Sequence, residues 1–140
     1  MKAITLHQPY ASLIAIGAKR FETRRWRTLH RGPLAIHSAA RMPPRMWDLF
    51  WAAPFYRHLK DAGFQDPTHL PRGSVVCVVD VKSCQQIAGA VHISADERAF
   101  GNWTPGRYAW ELVNLRRFQT PIDAKGQQGL WEWKEQGHGH

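Results

Sequence analysis

Hydrophobic and polar positions alternate in short stretches along this chain, and glycine and proline punctuate them. Residues 2–6, Lys-Ala-Ile-Thr-Leu, predict a short strand. Gln8 to Gly17 predicts a helix with Leu13, Ile14 and Ile16 on its apolar side. Pro9 suits its first turn and Gly17 its C-cap. Residues 19–26 read as extended and 33–38 as a further strand. Residues 43–62 carry Trp47, Phe50, Phe55 and Leu59 at helical spacing. Pro54 inside that span predicts a kink or two shorter helices, with the aromatic residues in the core. Residues 65–73, with Pro67 and Pro71, form a connecting loop.

The clearest strand is 74–82. Its odd positions Val75, Cys77, Val79 and Val81 are all apolar, so that face is expected to be buried; the even face stays apolar until Asp80. Ser94-Ala95-Asp96-Glu97 is a capping-box pattern for one short helical turn. Strands follow at 107–113, 115–118 and 129–133. Most strands succeed one another without an intervening helix, which excludes a regular parallel βαβ array. The expected class is α+β: a small, mainly antiparallel β-barrel with helices packed around it.

Length changes little in this picture. The 140 residues suit one domain, placed at 1–135, with a flexible glycine-rich tail at 136–140. A chain of this size buries a core without disulfide or metal. His138 and His140 in the tail imply no metal, and no cofactor is called for. The first ten residues break at His7-Gln8-Pro9, unlike a secretory signal, and no apolar run reaches the roughly 18 residues of a membrane span. Cys77 and Cys84 fit no zinc spacing, and an intracellular, cytoplasmic setting is the expectation.

Charge changes more. The chain carries +8, and residues 19–45 hold eight cations against one carboxylate, Glu22. Arginine outnumbers lysine, and its planar fork suits phosphate and stacks on bases. An anionic partner, nucleic acid first, is expected.

Gly17-Ala18-Lys19-Arg20-Phe21-Glu22-Thr23-Arg24 resembles the G-x-K-x-x-E-x-R signature of the ASCH domain (activating signal cointegrator homology). Thr5 to Leu13 resembles that family's opening segment, with Tyr10 where tryptophan is common. Arg31 to His37, Gly73 to Val81, Arg107 to Leu112 and Gly129 to Trp133 follow in the family's order. The resemblance implies a PUA-like barrel, a cleft between barrel and helices, and contact with nucleic acid, mostly RNA. It also implies that some relatives are hydrolases, acting on single-stranded RNA or on N4-acetylcytidine. In the amide-hydrolysing relatives the motif has threonine where this chain has Glu22, and a glutamate roughly where this chain has the shorter Asp80.

Regular strand alternation does not bring Lys19 beside Glu22; a turn or bulge after Gly17 would. The candidate catalytic residues are Lys19 as electrostatic stabiliser or base, with Glu22 and Asp80 as carboxylates. Each also has a structural reading: Glu22 as ion-pair partner of Arg24, Lys19 as a phosphate contact, Asp80 as a turn cap. The nucleic-acid contacts expected are His7, Gln8, Tyr10, Lys19, Arg20, Arg24, Arg25, Trp26, Arg27 and Arg31, with a phosphate at the helix start near Gln8. Trp26 between two arginines suits stacking on a single strand, and equally a core role. His37 reads as a satisfied core histidine. Three functions stay open: an RNA-binding module, a metal-independent hydrolase of RNA or an N4-acylated cytidine nucleoside, and a protein-interaction module.

Overall fold

Extended segments with alternating or wholly apolar patterns pair into one sheet in the computed structural model, which describes residues 1–89 and 92–135. The tail at 136–140, with His138 and His140, lies outside the described residues. The strands are β1 (Lys2–Leu6), β2 (Phe21–Arg24), β3 (Gly32–Ser38), β4 (Ser74–Gln86), β5 (Tyr108–Asp123) and β6 (Trp131–Glu132). The helices are α1 (Tyr10–Ala15), α2 (Pro44–Trp51), α3 (Phe55–Asp61) and α4 (Ala95–Ala99). Sheet order is β2-β5-β4-β3-β1-β6. Four of the five pairings are antiparallel; β1 and β3 run parallel, joined through α1 and β2. The sheet curls into a half-barrel with helices against it, the α+β class expected.

Pro54 ends the aromatic helix as predicted. A proline lacks the donor a helix interior needs and pushes its predecessor out of helical geometry. Two helices result, and Phe50, Phe55 and Leu59 pack with Leu13, Met46 and Phe100 in one cluster. Trp51 is the exception, 54% exposed.

Strict alternation fails in β4. The register slips at Val76, between Val75 and Cys77, against both β3 and β5. The extra residue puts Val76 and Cys77 on one side, with Val79 and Val81, in the interior cluster with Ile4, Ile36 and Trp110. Val75 and Val78 face the other way, against Ala3, Trp131 and Trp133. Further slips near Asp80 and Ser83 add twist and bend, which is what curls the sheet. The two strands expected at 107–113 and 115–118 are one long β5. Asn114 takes a left-handed φ of 55° inside it, and this interruption is what the sequence pattern registers.

His37 is the core histidine expected. It is 1% exposed, with Nε2 against the Ala124 carbonyl at 2.6 Å and Nδ1 against Thr5 Oγ1 at 3.2 Å. With Nε2–H donating to the carbonyl, Nδ1 accepts from the Thr5 hydroxyl. That hydroxyl in turn accepts from Trp131 Nε1 at 3.1 Å. Cys77 is buried and its thiol is pushed up to about 12 by desolvation, consistent with a small core hydrophobe. No described helix is long and apolar enough to cross a membrane.

Candidate nucleic-acid interface

The exit of α1 solves the alternation problem of the Gly17–Arg24 motif. Gly17 adopts a φ of +80°, open to glycine at little cost. The Ala18 and Lys19 N–H groups both donate to the Leu13 carbonyl at 3.0 Å. Lys19 therefore belongs to the helix exit rather than to β2, and its side chain turns towards Glu22. Lys19 Nζ lies 3.7 Å from Glu22 Oε1, donates to the Phe100 carbonyl at 2.6 Å, and stands 5.7 Å from the centre of the Tyr10 ring. Glu22 Oε2 accepts from Arg24 Nε at 2.7 Å, and Arg24 also donates to the Thr5 carbonyl at 3.2 Å. Lys19 is 3% exposed and Glu22 8%.

These residues floor a cleft of about 580 Å³ between the sheet and the helices. His7, Tyr10, Arg24 and Arg45 line it, with Thr23, Asn102 and Arg107 beyond. Burial pushes the Lys19 pKa down, against the pull of Glu22 and Glu97. Burial and the Glu22 carboxylate raise the Tyr10 phenol. Partial burial, with Arg45 and Arg41, holds the His7 imidazole below its ordinary value, so it is neutral at pH 7. Among the described residues no hydrogen bond reaches the His7 ring, the Tyr10 hydroxyl, the Arg45 guanidinium or Glu22 Oε1. The cleft thus presents two neutral rings, one free carboxylate oxygen and free guanidinium donors.

Not every residue expected here arrives. Asp80 is the first correction. It lies on β4 opposite Pro33 and Val113, where it accepts from Asn114 Nδ2 at 2.9 Å and Arg116 at 3.1 Å. The bulges of β4 and the Asn114 kink bring those partners together, and the two hydrogen bonds hold the Asp80 carboxyl below the usual range. It takes no part in the cleft. Gln8 is the second. It is fully buried, accepting from Ser12 N at 2.9 Å and donating to Ser12 Oγ at 2.8 Å and the Pro71 carbonyl at 2.7 Å. It also closes the helix-start anion site: the Ala11, Ser12 and Leu13 N–H groups are all taken from within the chain.

Arg20 opens instead onto a neighbouring groove of about 740 Å³, with His58 and Asp61. That groove is larger, but its charges answer one another: Asp96 binds His58 Nε2 at 2.7 Å and also pairs with Arg57. Arg25, Trp26 and Arg27 continue from Arg24 on an exposed segment. Trp26 is 37% exposed and rests edge-on against buried Trp110, ring centres 5.0 Å apart. Arg31 braces its own loop through the Thr28 and His30 carbonyls at 3.1 and 2.9 Å.

Three contributors had no assigned role in the sequence. Arg45 was visible only as part of the basic run. The Phe100 carbonyl carries no side-chain signal. Glu97 sits in the capping box, and Ser94 Oγ does accept from its N–H at 3.0 Å. Its carboxylate does not return to Ser94, however. Oε1 accepts instead from the Arg20 N–H at 2.8 Å, tying α4 to the motif. Among the described residues no cluster of three His, Cys, Asp or Glu side chains is arranged to hold a metal.

A sequence model of the ASCH domain matches residues 4–122. Activating signal cointegrator 1 of Homo sapiens is 36% identical over 81 residues, and that of Mus musculus 35% over 81. These matches cover 58% of this chain but only 14% of each of those proteins. Among solved structures, a mutant of ZmASCH from Zymomonas mobilis superposes with a TM-score of 0.53 at 18% identity. That superposition covers 96% of this chain and 91% of the other, and at such identity the likeness concerns the fold.

Proposed function

The chain belongs to the ASCH domain family, and on that premise we propose that it binds single-stranded RNA in the cleft between its sheet and its helices. The observation that carries the reading is the set of unpartnered groups converging there. Arg45 and the remaining Arg24 donors suit phosphate oxygens. The Tyr10 and His7 rings suit an unstacked base. Arg25, Trp26 and Arg27 extend the track with cations and one aromatic face. A double helix would not present an unstacked base to this floor, whereas a single strand does.

Anisotropy titration of a labelled single-stranded RNA across about 50 to 200 mM salt tests the reading. Each neutralised phosphate contributes about −0.7 to the slope of log K against log salt. With contacts at Arg24, Arg45 and one rim arginine, the expected slope is about −2. Arg45→Ala reduces it by about 0.7. Absence of binding, or an affinity indifferent to salt, overturns the proposal.

One observation favours a second reading, hydrolysis of single-stranded RNA or of an N4-acylated cytidine nucleoside. A lysine with a depressed pKa beside a carboxylate is a usable proton carrier. Asp80 drops out of that mechanism, leaving Lys19, Glu22 and the Tyr10 hydroxyl. End-labelled RNA and N4-acetylcytidine, incubated with wild type and Lys19→Ala prepared side by side, decide it. Turnover by wild type alone supports hydrolysis; equal turnover by both, or none, removes it.

A further inference from the structure

The rim of the cleft is cationic, and its floor presents an acceptor. Glu22 turns Oε2 to Arg24 and leaves Oε1 without a hydrogen bond, 3.7 Å from a Lys19 amine already committed to the Phe100 carbonyl. A phosphate cannot rest on that oxygen, because like charges repel at contact distance. Whatever meets Oε1 must be a donor. On either hand stand Tyr10 and His7, planar and without hydrogen bonds, walls for a flat ring rather than for a ribose.

We propose that Glu22 determines base specificity in this cleft: Oε1 accepts an N–H from the exocyclic amine of an RNA base, so the cleft takes amino-bearing bases and refuses uracil. This rests on the single-stranded RNA reading above. The amine of cytosine lies beside a ring-nitrogen acceptor, and adenine repeats that order. Glu22 Oε1 beside the Arg24 guanidinium offers the complementary order, acceptor next to donor. Uracil has carbonyl oxygens on both sides of its one N–H, and each would face the carboxylate. A buried acceptor left facing another acceptor loses its hydrogen bond and gains repulsion, so the discrimination is large for a single contact.

The test compares labelled decamers of cytidine, of uridine and of the pyrimidin-2-one ribonucleoside, which is cytidine without its amine. The cytidine decamer is expected to bind about tenfold tighter than the uridine decamer, the effect of one hydrogen bond to a charged acceptor. The pyrimidinone decamer is expected to lose most of that advantage. This comparison uses unaltered protein, so it does not depend on a variant folding. Glu22→Gln, whose amide both donates and accepts, brings the cytidine-to-uridine ratio within about twofold. Equal wild-type affinity for cytidine and uridine decamers, or full affinity for the pyrimidinone decamer, overturns the assignment. If every decamer binds alike with a salt slope, only the role of Glu22 falls; if none binds, the RNA reading falls with it.

Discussion

Removing the Glu97 carboxylate tests whether α4 holds the motif in place. Glu97 is 6% exposed, and its Oε1 is the acceptor for the Arg20 N–H at 2.8 Å. Its Oε2 has no hydrogen-bond partner, and its charge lies close enough to Lys19 to pull that amine towards its charged form. Glu97→Ala leaves the Arg20 N–H buried and unpaired, at about 1–3 kcal/mol. Lost side-chain packing adds roughly 1 kcal/mol. The expected loss is about 3 kcal/mol, a fall in Tm of roughly 10 °C for a domain of this size. Glu97→Gln keeps an oxygen where Oε1 stands and is expected to lose less than about 1 kcal/mol.

The two variants also differ from wild type in pH dependence. Burial holds the Glu97 carboxyl above its ordinary pKa of about 4.5. The native state therefore keeps a proton that the unfolded chain releases. This contribution is fully present below the ordinary value and is lost as pH rises through the raised native one. Wild type minus Glu97→Gln should decline across that window, because glutamine has nothing to titrate. Thermal melts of the three proteins from pH of about 4 to 8, with RNA affinity measured alongside, provide the check. Equal destabilisation by alanine and glutamine would refute the reasoning, since the backbone hydrogen bond would then not be what matters. So would an alanine variant as stable as wild type.

Other outcomes follow from the same geometry. Gly126→Ala places a Cβ 2.6 Å from His37 Cε1 and 2.8 Å from Thr5 Oγ1, so it should destabilise by about 1–3 kcal/mol in denaturant titration. Asp80→Asn should leave RNA affinity within about twofold, since Asp80 meets only Asn114 and Arg116 outside the cleft. Trp26→Ala should weaken single-strand binding by about 1–3 kcal/mol if the exposed edge of the indole stacks on a base, read by anisotropy at fixed salt.

Local physics made much of this legible beforehand. The break at Pro54, the strand character of β4 and the burial of Cys77 all follow from proline chemistry and unbroken apolar runs. The juxtaposition of Lys19 and Glu22 needed a turn after Gly17, and Gly17 supplies its positive φ. What escaped was long-range. Lys19 meets the Phe100 carbonyl across 81 residues and Arg20 meets Glu97 across 77, and neither partner advertises itself by periodicity. Asp80 was misplaced because alternation along β4 was counted through a bulge. Gln8 was misassigned because a polar side chain beside a helix start looks like a ligand contact, and only the fold reveals Pro71 and Ser12 as its partners.

The bulge at Val76 has a bearing on how this strand tolerates change. Any single valine of β4 can give way to another apolar residue of similar volume at modest cost, because both sides of the strand are oily. The number of residues cannot vary so freely. Deleting Val76 would advance every later side chain by one step and exchange the two sides from Cys77 onward. Val78 would then point into the interior and Val79 out towards Trp131, while Asp80 and Lys82 would trade places with Val81. The strand is therefore permissive in spelling and strict in length.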